Sequence, residues 1–91
     1  MRHHILVKWK EGMAPELGGV RAIFEETLSL PGIYSVSLHP NVIKRENRYD
    51  LLIVLCMERE ALEGYDHSPA HRRWKEAYGP RIEKKAIFDC E

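Results

Sequence analysis

The chain has 91 residues, of which 44% are hydrophobic and 31% are charged, as expected for one folded domain spanning residues 1–91. Its 14 Lys and Arg residues balance 14 Asp and Glu residues, so no strong field would attract nucleic acid or an anionic membrane. The N-terminal apolar run ends at Val7, too short for a signal peptide, and no stretch approaches the roughly 18 apolar residues of a membrane span. We therefore expect a cytoplasmic protein with free thiols at Cys56 and Cys90 and with no metal ion or cofactor.

The first predicted strand runs from His3 to Lys10, because apolar and polar residues alternate there. One face carries Ile5, Val7 and Trp9, with His3 at its end. This face is the candidate core side of the strand.

A helix is predicted to begin at Pro15, since proline is favoured at the first helical position. Gly18 and Gly19 weaken this helix by about 1 kcal/mol each relative to alanine, so it must depend on packing. The dipeptide Pro31-Gly32 is a strong stop signal. Apolar residues recur between these limits at helical spacing, at Leu17, Val20, Phe24 and Leu28.

Two strands are predicted in the middle of the chain. The segment from Ile33 to His39 alternates, with Tyr34, Val36 and Leu38 on one face, which indicates a strand near a sheet edge. The segment from Tyr49 to Met57 instead contains an unbroken apolar run. Such a run is typical of a central strand that is covered on both faces.

The last third of the chain predicts an interrupted helical segment and a closing strand. A short helix is expected from Glu58 to Tyr65, and a second begins with Ser68 as N-cap and Pro69 in the first turn. Trp74 is expected in the core. A final strand is expected from Lys85 to Cys90.

The element order β-α-β-β-α-β is the ferredoxin-like pattern of an α+β fold. Right-handed crossovers give the antiparallel strand order 4-1-3-2, with both helical segments on one face of the sheet. The chain's own helices then cover only one side of the apolar third strand. We therefore expect a homodimer that forms through the open face of the sheet.

Several segments, in the correct order, resemble the stress-responsive A/B barrel domain family, also called the dimeric α/β-barrel (Dabb) family. The resemblance spans nearly the whole chain. The matching segments are His3-His4-Ile5-Leu6-Val7-Lys8-Trp9-Lys10, Leu30-Pro31-Gly32-Ile33, Arg48-Tyr49-Asp50-Leu51, Tyr65 with Ser68-Pro69-Ala70-His71, and Pro80 with Phe88-Asp89-Cys90-Glu91. The chain departs from the family pattern at Ser68, where many members have histidine.

The resemblance implies a ferredoxin-like protomer and a dimeric α/β barrel built from two sheets. Many family members have no assigned reaction. One branch consists of cofactor-free polyketide cyclases, in which a Tyr and a His six residues later form the catalytic pair. Tyr65 and His71 match those positions.

The candidate site residues are His71, Tyr65 and His3. A histidine has a suitable pKa for removing a proton beside a carbonyl, and a tyrosine hydroxyl can stabilise the resulting enolate oxygen. The break at Ser68-Pro69 would let Tyr65 and His71 turn toward one pocket. His3 would join them if the strand presents it to the helix-covered face.

Three functions remain open from the sequence, and so does the question of whether the protein is an enzyme. The leading hypothesis is a homodimer of undefined activity that binds a small apolar molecule between sheet and helices. The second is a cofactor-free cyclase or lyase acting on a polyketide-like ligand. The third is a non-catalytic oligomeric scaffold, in which Tyr65 and His71 only support the fold. A zinc site at His67 and His71, spaced as metal ligands on a helix, has no third ligand nearby in sequence.

Overall fold

The computed structural model describes all residues, 1–91, and confirms the predicted order of elements. Two single 3₁₀ turns, Thr27–Ser29 and Gly79–Arg81, follow the first and last helices. The strands and helices are β1 (Arg2–Trp9), α1 (Leu17–Glu26), β2 (Ile33–Pro40), β3 (Leu51–Met57), α2 (Ala61–Asp66), α3 (Pro69–Tyr78) and β4 (Ile82–Cys90).

The four strands form one sheet in the order β2-β3-β1-β4, and every neighbouring pair is antiparallel. This is the predicted ferredoxin-like topology. It places β2 and β4 at the two edges and the apolar strand β3 beside β1 in the centre. Cys56 and Cys90 are both free thiols. They lie on opposite sides of β1, Cys56 on β3 and Cys90 on β4, and both pair with Arg2.

The core lies between the sheet and the helices. Alternate residues of β1 and β3 are buried there because side chains of a strand point to opposite faces. Phe24 from α1 and Trp74 from α3 pack with their rings edge to face, 5.0 Å apart at the centroids. The largest fully buried side chains are Trp74, Tyr65, Phe24, Ile5, Ile53, Leu55 and Met57.

Helix α1 begins at Leu17, two residues later than predicted. Glu16 is still extended, with φ −66° and ψ 135°, and its side chain makes no capping bond. Gly19 has a packing reason to lack a side chain, because a Cβ there would collide with the Tyr78 hydroxyl. Gly18 has open space around it, so only one of the two glycines serves the contact between α1 and α3.

A β-bulge in β2 changes the predicted facing of that strand. The register shifts between Ile33 and Ser35, which leaves Tyr34 65% exposed while Ile33 is buried. Ile33, rather than Tyr34, therefore shares the core side with Val36 and Leu38. The Tyr34 hydroxyl donates a hydrogen bond to Glu58.

Strand β4 begins at Ile82, three residues earlier than predicted. A register shift between Lys8 and Trp9 allows Trp9 to pair with Ile82. The polar residues that follow gave no apolar signal in the sequence. Helix α2 begins at Ala61, three residues later than predicted.

No helix is long and apolar enough to cross a bilayer.

No helix of the chain covers the opposite face of the sheet. Side chains there are only half-buried in the centre, and Phe88 is 63% exposed. The strand register brings together an apolar centre on this face, formed by Leu6, Leu52, Val54, Ala86 and Phe88. We call these five residues the open-face patch.

Candidate functional site

A pocket of about 280 Å³ lies between the sheet and the helices α2 and α3. All three candidate residues border it, together with apolar side chains. Its lining is His3, Ile5, Leu62, Tyr65, Asp66, His71, Trp74, Lys85, Ile87 and Asp89. We call this the sheet–helix pocket. Its size is at the small end of ligand sites.

The break between α2 and α3 brings Tyr65 and His71 together. Ser68 is the N-cap of α3, and its hydroxyl accepts a hydrogen bond from the His71 backbone N–H at 3.1 Å. The same hydroxyl donates to the Tyr65 carbonyl at 2.7 Å. The Tyr65 and His71 rings then meet edge to face, with centroids 4.9 Å apart. Ser68 thus supports the site through the backbone.

His3 enters the same pocket from β1. Its side chain is on the helix-covered face and is 4% exposed. Its Nδ1 lies 2.5 Å from a carboxylate oxygen of Asp89 on β4, and its ring lies 5.5 Å from the Tyr65 ring. An ionised Asp89 can only accept, so Nδ1 carries the proton. The carboxylate fixes the orientation of the imidazole.

The Tyr65 hydroxyl is buried and has no hydrogen-bond partner within the chain. Burial raises the pKa of Tyr65, with a smaller contribution from the charge of Asp66, so the hydroxyl stays protonated and can donate. A ligand oxygen reaches it only if a neighbouring side chain moves, because the atom is out of contact with solvent.

His71 is partly exposed at the pocket. Its Nδ1 donates to the Asp66 carbonyl at 3.0 Å, which leaves Nε2 as the unprotonated nitrogen of the neutral ring. Burial is the main cause that lowers the pKa of His71; the hydrogen bond to the Asp66 carbonyl and the Asp66 charge oppose it, and the charges of Lys75 and Lys85 add smaller lowering effects. The ring is therefore neutral at pH 7, the form that can accept a proton.

Sequence reasoning missed the two charged residues that β4 contributes to the pocket, Asp89 and Lys85. Both lie on β4, which pairs with β1 so that Asp89 is opposite His3 and Lys85 is opposite Val7. The predicted strand order already put β4 beside β1. A charged residue on the core-facing side of that strand was the signal that could have identified them.

The other histidine considered from the sequence, His67, lies outside the sheet–helix pocket. It is exposed, and its Nδ1 contacts the Glu63 carbonyl at 2.9 Å. Trp74 is in the core as predicted, and it also lines the pocket. No three His, Cys, Asp or Glu side chains lie close enough together to hold a metal ion.

Four surface grooves are larger than this pocket but lack its convergence of buried polar groups; two of them exceed 380 Å³. One, of about 400 Å³, lies between α1 and α3 and has a mostly polar lining with the exposed carboxylates Glu25 and Glu26. The other, of about 440 Å³, lies beneath the β2–β3 loop on the open side of the sheet. The sheet–helix pocket is smaller than both, but it alone contains His3, Tyr65 and Asp89.

Comparison with solved structures identifies the fold. A dimeric ferredoxin-like protein of unknown function from Jannaschia has a TM-score of 0.78 and 20% identity, over 99% of this chain and 96% of that chain. An Arabidopsis thaliana protein has a TM-score of 0.74 and 16% identity, over 99% and 92%. A Dabb family protein with a ferredoxin-like fold from Mesorhizobium loti has a TM-score of 0.65 and 14% identity, over 99% and 93%.

These similarities establish the fold, and their low identities limit them to the fold. No protein-family model matches the sequence, and no curated protein matches it. The predicted ferredoxin-like architecture is confirmed, and it is similar to that of a Dabb family protein. The function must therefore be inferred from the residues of the sheet–helix pocket.

Proposed function

We propose that this chain is a single Dabb-type domain over residues 1–91, which acts as a homodimer and binds a small molecule in the sheet–helix pocket. One observation carries the proposal. His3, Tyr65 and His71 come from three separate elements and border one pocket that also has apolar walls. A small, partly apolar pocket with a few convergent polar groups is the usual form of a ligand site.

The dimer part of the proposal rests on the open-face patch. Leu52 and Val54 on β3 are only half-buried, and Phe88 is largely exposed. Contiguous exposed apolar area of this kind is typical of a protein interface. The structural relatives from Jannaschia and Thermobifida fusca are described as dimeric, which supports the same assembly here. Two sheets facing each other would form the dimeric α/β barrel.

Cofactor-free proton transfer beside a carbonyl is a second candidate function. The observation that favours it is the hydrogen bond from His71 Nδ1 to the Asp66 carbonyl, because it leaves Nε2 available as a base. In this proposal Nε2 removes a proton from the carbon next to a ligand carbonyl. Once a neighbouring side chain has moved and exposed the Tyr65 hydroxyl to the ligand, that hydroxyl, whose raised pKa keeps it protonated, donates to the enolate oxygen.

A ligand titration followed by amide ¹H–¹⁵N NMR tests the binding proposal. Small ketones and hydroxy ketones are added to the wild type, to His71→Ala and to His67→Ala. The His67 variant is a matched control, since His67 also contacts a backbone carbonyl but lies outside the pocket.

We expect the amides of His71 and Ile87 to shift in the wild type and in His67→Ala, and the affinity to fall in His71→Ala. If no ketone shifts these amides in the wild type, the binding proposal is wrong. For the proton-transfer candidate, exchange of ligand protons α to the carbonyl with D₂O is measured on the same three proteins. Equal exchange rates in the wild type and His71→Ala would exclude His71 as the base.

Sedimentation velocity at micromolar concentration tests the dimer. Val54→Asp places a charge in the open-face patch, where it must be desolvated on assembly. Glu83→Asp changes an exposed residue of the same sheet and conserves its charge. We expect dimers for the wild type and Glu83→Asp, and monomers for Val54→Asp. A monomeric wild type would contradict the assembly.

A further inference from the structure

One cation borders the sheet–helix pocket, and it belongs to an edge strand. Lys85 lies opposite Val7 in the β1–β4 register, and Val7 is fully buried on the helix-covered face. The Lys85 side chain therefore extends toward the helices. It lines the pocket and is close enough to His71 to lower its pKa.

Lys85 has no partner of its own. No carboxylate lies within 4 Å of its ammonium group, and the group makes no hydrogen bond. The preceding lysine differs, because Lys84 points to the other face and lies over the Tyr49 ring at 5.3 Å. Lys85 is thus a free positive charge beside a pocket rather than a member of a surface ion-pair network.

The two acidic groups of the pocket are differently engaged. Asp89 contacts His3 at 2.5 Å, so its charge is committed to that imidazole. Asp66 bonds to His71 through its backbone carbonyl only, and its carboxylate forms no ion pair. One wall of the pocket, formed by β4, therefore has a free cation at Lys85, an apolar side chain at Ile87 and a paired carboxylate at Asp89.

This polarity along β4 limits the ligand. Lys85 and Asp89 lie at opposite ends of this wall, with Ile87 between them. A ligand that packs on the wall meets a positive charge at Lys85 and a carboxylate at Asp89, so its anionic group belongs beside Lys85 and the rest of the molecule must be uncharged. Its middle must be apolar to pack against Ile87 and Trp74.

We infer that the sheet–helix pocket selects a small carboxylate that also carries a carbonyl oxygen, and that Lys85 is the residue that determines this specificity. The inference deepens the proposed ligand-binding function and rests on it. A carboxylate fits better than a phosphate dianion, because Lys85 is the only lysine of the pocket and balances one negative charge, which leaves a second one unpaired. A pocket of about 280 Å³ also favours a small acid.

The test uses 4-oxopentanoate and its methyl ester, which share the ketone and differ in the charge of the carboxyl group. Dissociation constants are measured by amide NMR for the wild type, Lys85→Met and Lys75→Met. Lys75 is the matched control, because it also lowers the His71 pKa but does not line the sheet–helix pocket.

We expect the wild type to bind the acid about two- to fivefold more tightly than the ester, a preference consistent with one exposed charge pair. Lys85→Met should bind acid and ester equally, and Lys75→Met should keep the preference. Equal affinities in the wild type, or a preference that survives in Lys85→Met, would overturn the inference and leave pocket binding intact. If neither compound shifts pocket amides at tens of millimolar, both the inference and the proposed function are wrong.

Discussion

Tyr65→Phe separates stability from function at this site, because the hydroxyl of Tyr65 is buried without a partner. The substitution removes that oxygen and keeps the ring, which contacts His3 and His71 edge to face. A hydroxyl that served the fold would be bonded to it. A buried hydroxyl without a partner lowers the stability of the fold. We therefore expect the Tyr65 hydroxyl to form its hydrogen bond with a ligand.

The expected size of the effect follows from burial. A buried polar group without a partner costs about 1–3 kcal/mol, so Tyr65→Phe should raise the free energy of unfolding by about 1–2 kcal/mol. In a domain of this length each 1 kcal/mol corresponds to roughly 4–8 °C in melting temperature. Ligand affinity should fall in the same variant, as expected where a site trades stability for function.

Urea unfolding followed by tryptophan fluorescence measures the first effect, at one fixed protein concentration because dimerisation contributes to stability. Tyr34→Phe is the matched control. The Tyr34 hydroxyl is exposed and donates to Glu58 at 2.7 Å, so its loss should be neutral or slightly destabilising. If Tyr65→Phe instead lowers the free energy of unfolding by more than about 1 kcal/mol, the hydroxyl is bonded within the protein in solution. That result would refute the argument for its role in binding.

Three further predictions concern pH, helix α1 and assembly. Burial lowers the pKa of His71, so the unfolded chain binds more protons, and stability should fall as the pH drops below about 6.5. His71→Gln should flatten that part of a urea-unfolding series from pH 8 to 5, and an unchanged slope would contradict the assignment. Gly18→Ala should stabilise the chain by about 0.5–1 kcal/mol, whereas Gly19→Ala should gain less or lose stability against the Tyr78 hydroxyl; equal gains in thermal unfolding would refute this contact. Thiol labelling should be faster in Val54→Asp than in the wild type, because the cysteines share its face, and equal rates would argue against burial of that face.

The fold was largely predictable because the apolar periodicity and the Pro and Gly signals indicated the same elements. The unbroken apolar run of β3, the edge character of β2 and the Ser68-Pro69 helix start all correspond to observed elements. The predictions that were wrong for the strands depended on how the strands pair. The bulge at Tyr34 and the early start of β4 at Ile82 follow from register, which a single strand's sequence does not contain.

The candidate site was predictable only in part. Spacing around Ser68 suggested that Tyr65 and His71 could meet, and alternation along β1 put His3 with the core residues. Asp89 and Lys85 were missed, since each gains its place from pairing with β1. The unpartnered state of the Tyr65 hydroxyl is a property of packing and leaves no trace in composition or spacing.

The central claim is that His71 presents a free Nε2 to a ligand in the sheet–helix pocket. Long-range ¹H–¹⁵N spectra of the histidine rings at pH 7, with and without 4-oxopentanoate, measure this directly. The account predicts a neutral His71 protonated on Nδ1, with an Nε2 signal that moves when the keto acid is added, while His67 stays unchanged. A His71 protonated on Nε2, or one that does not respond to the keto acid, would contradict it.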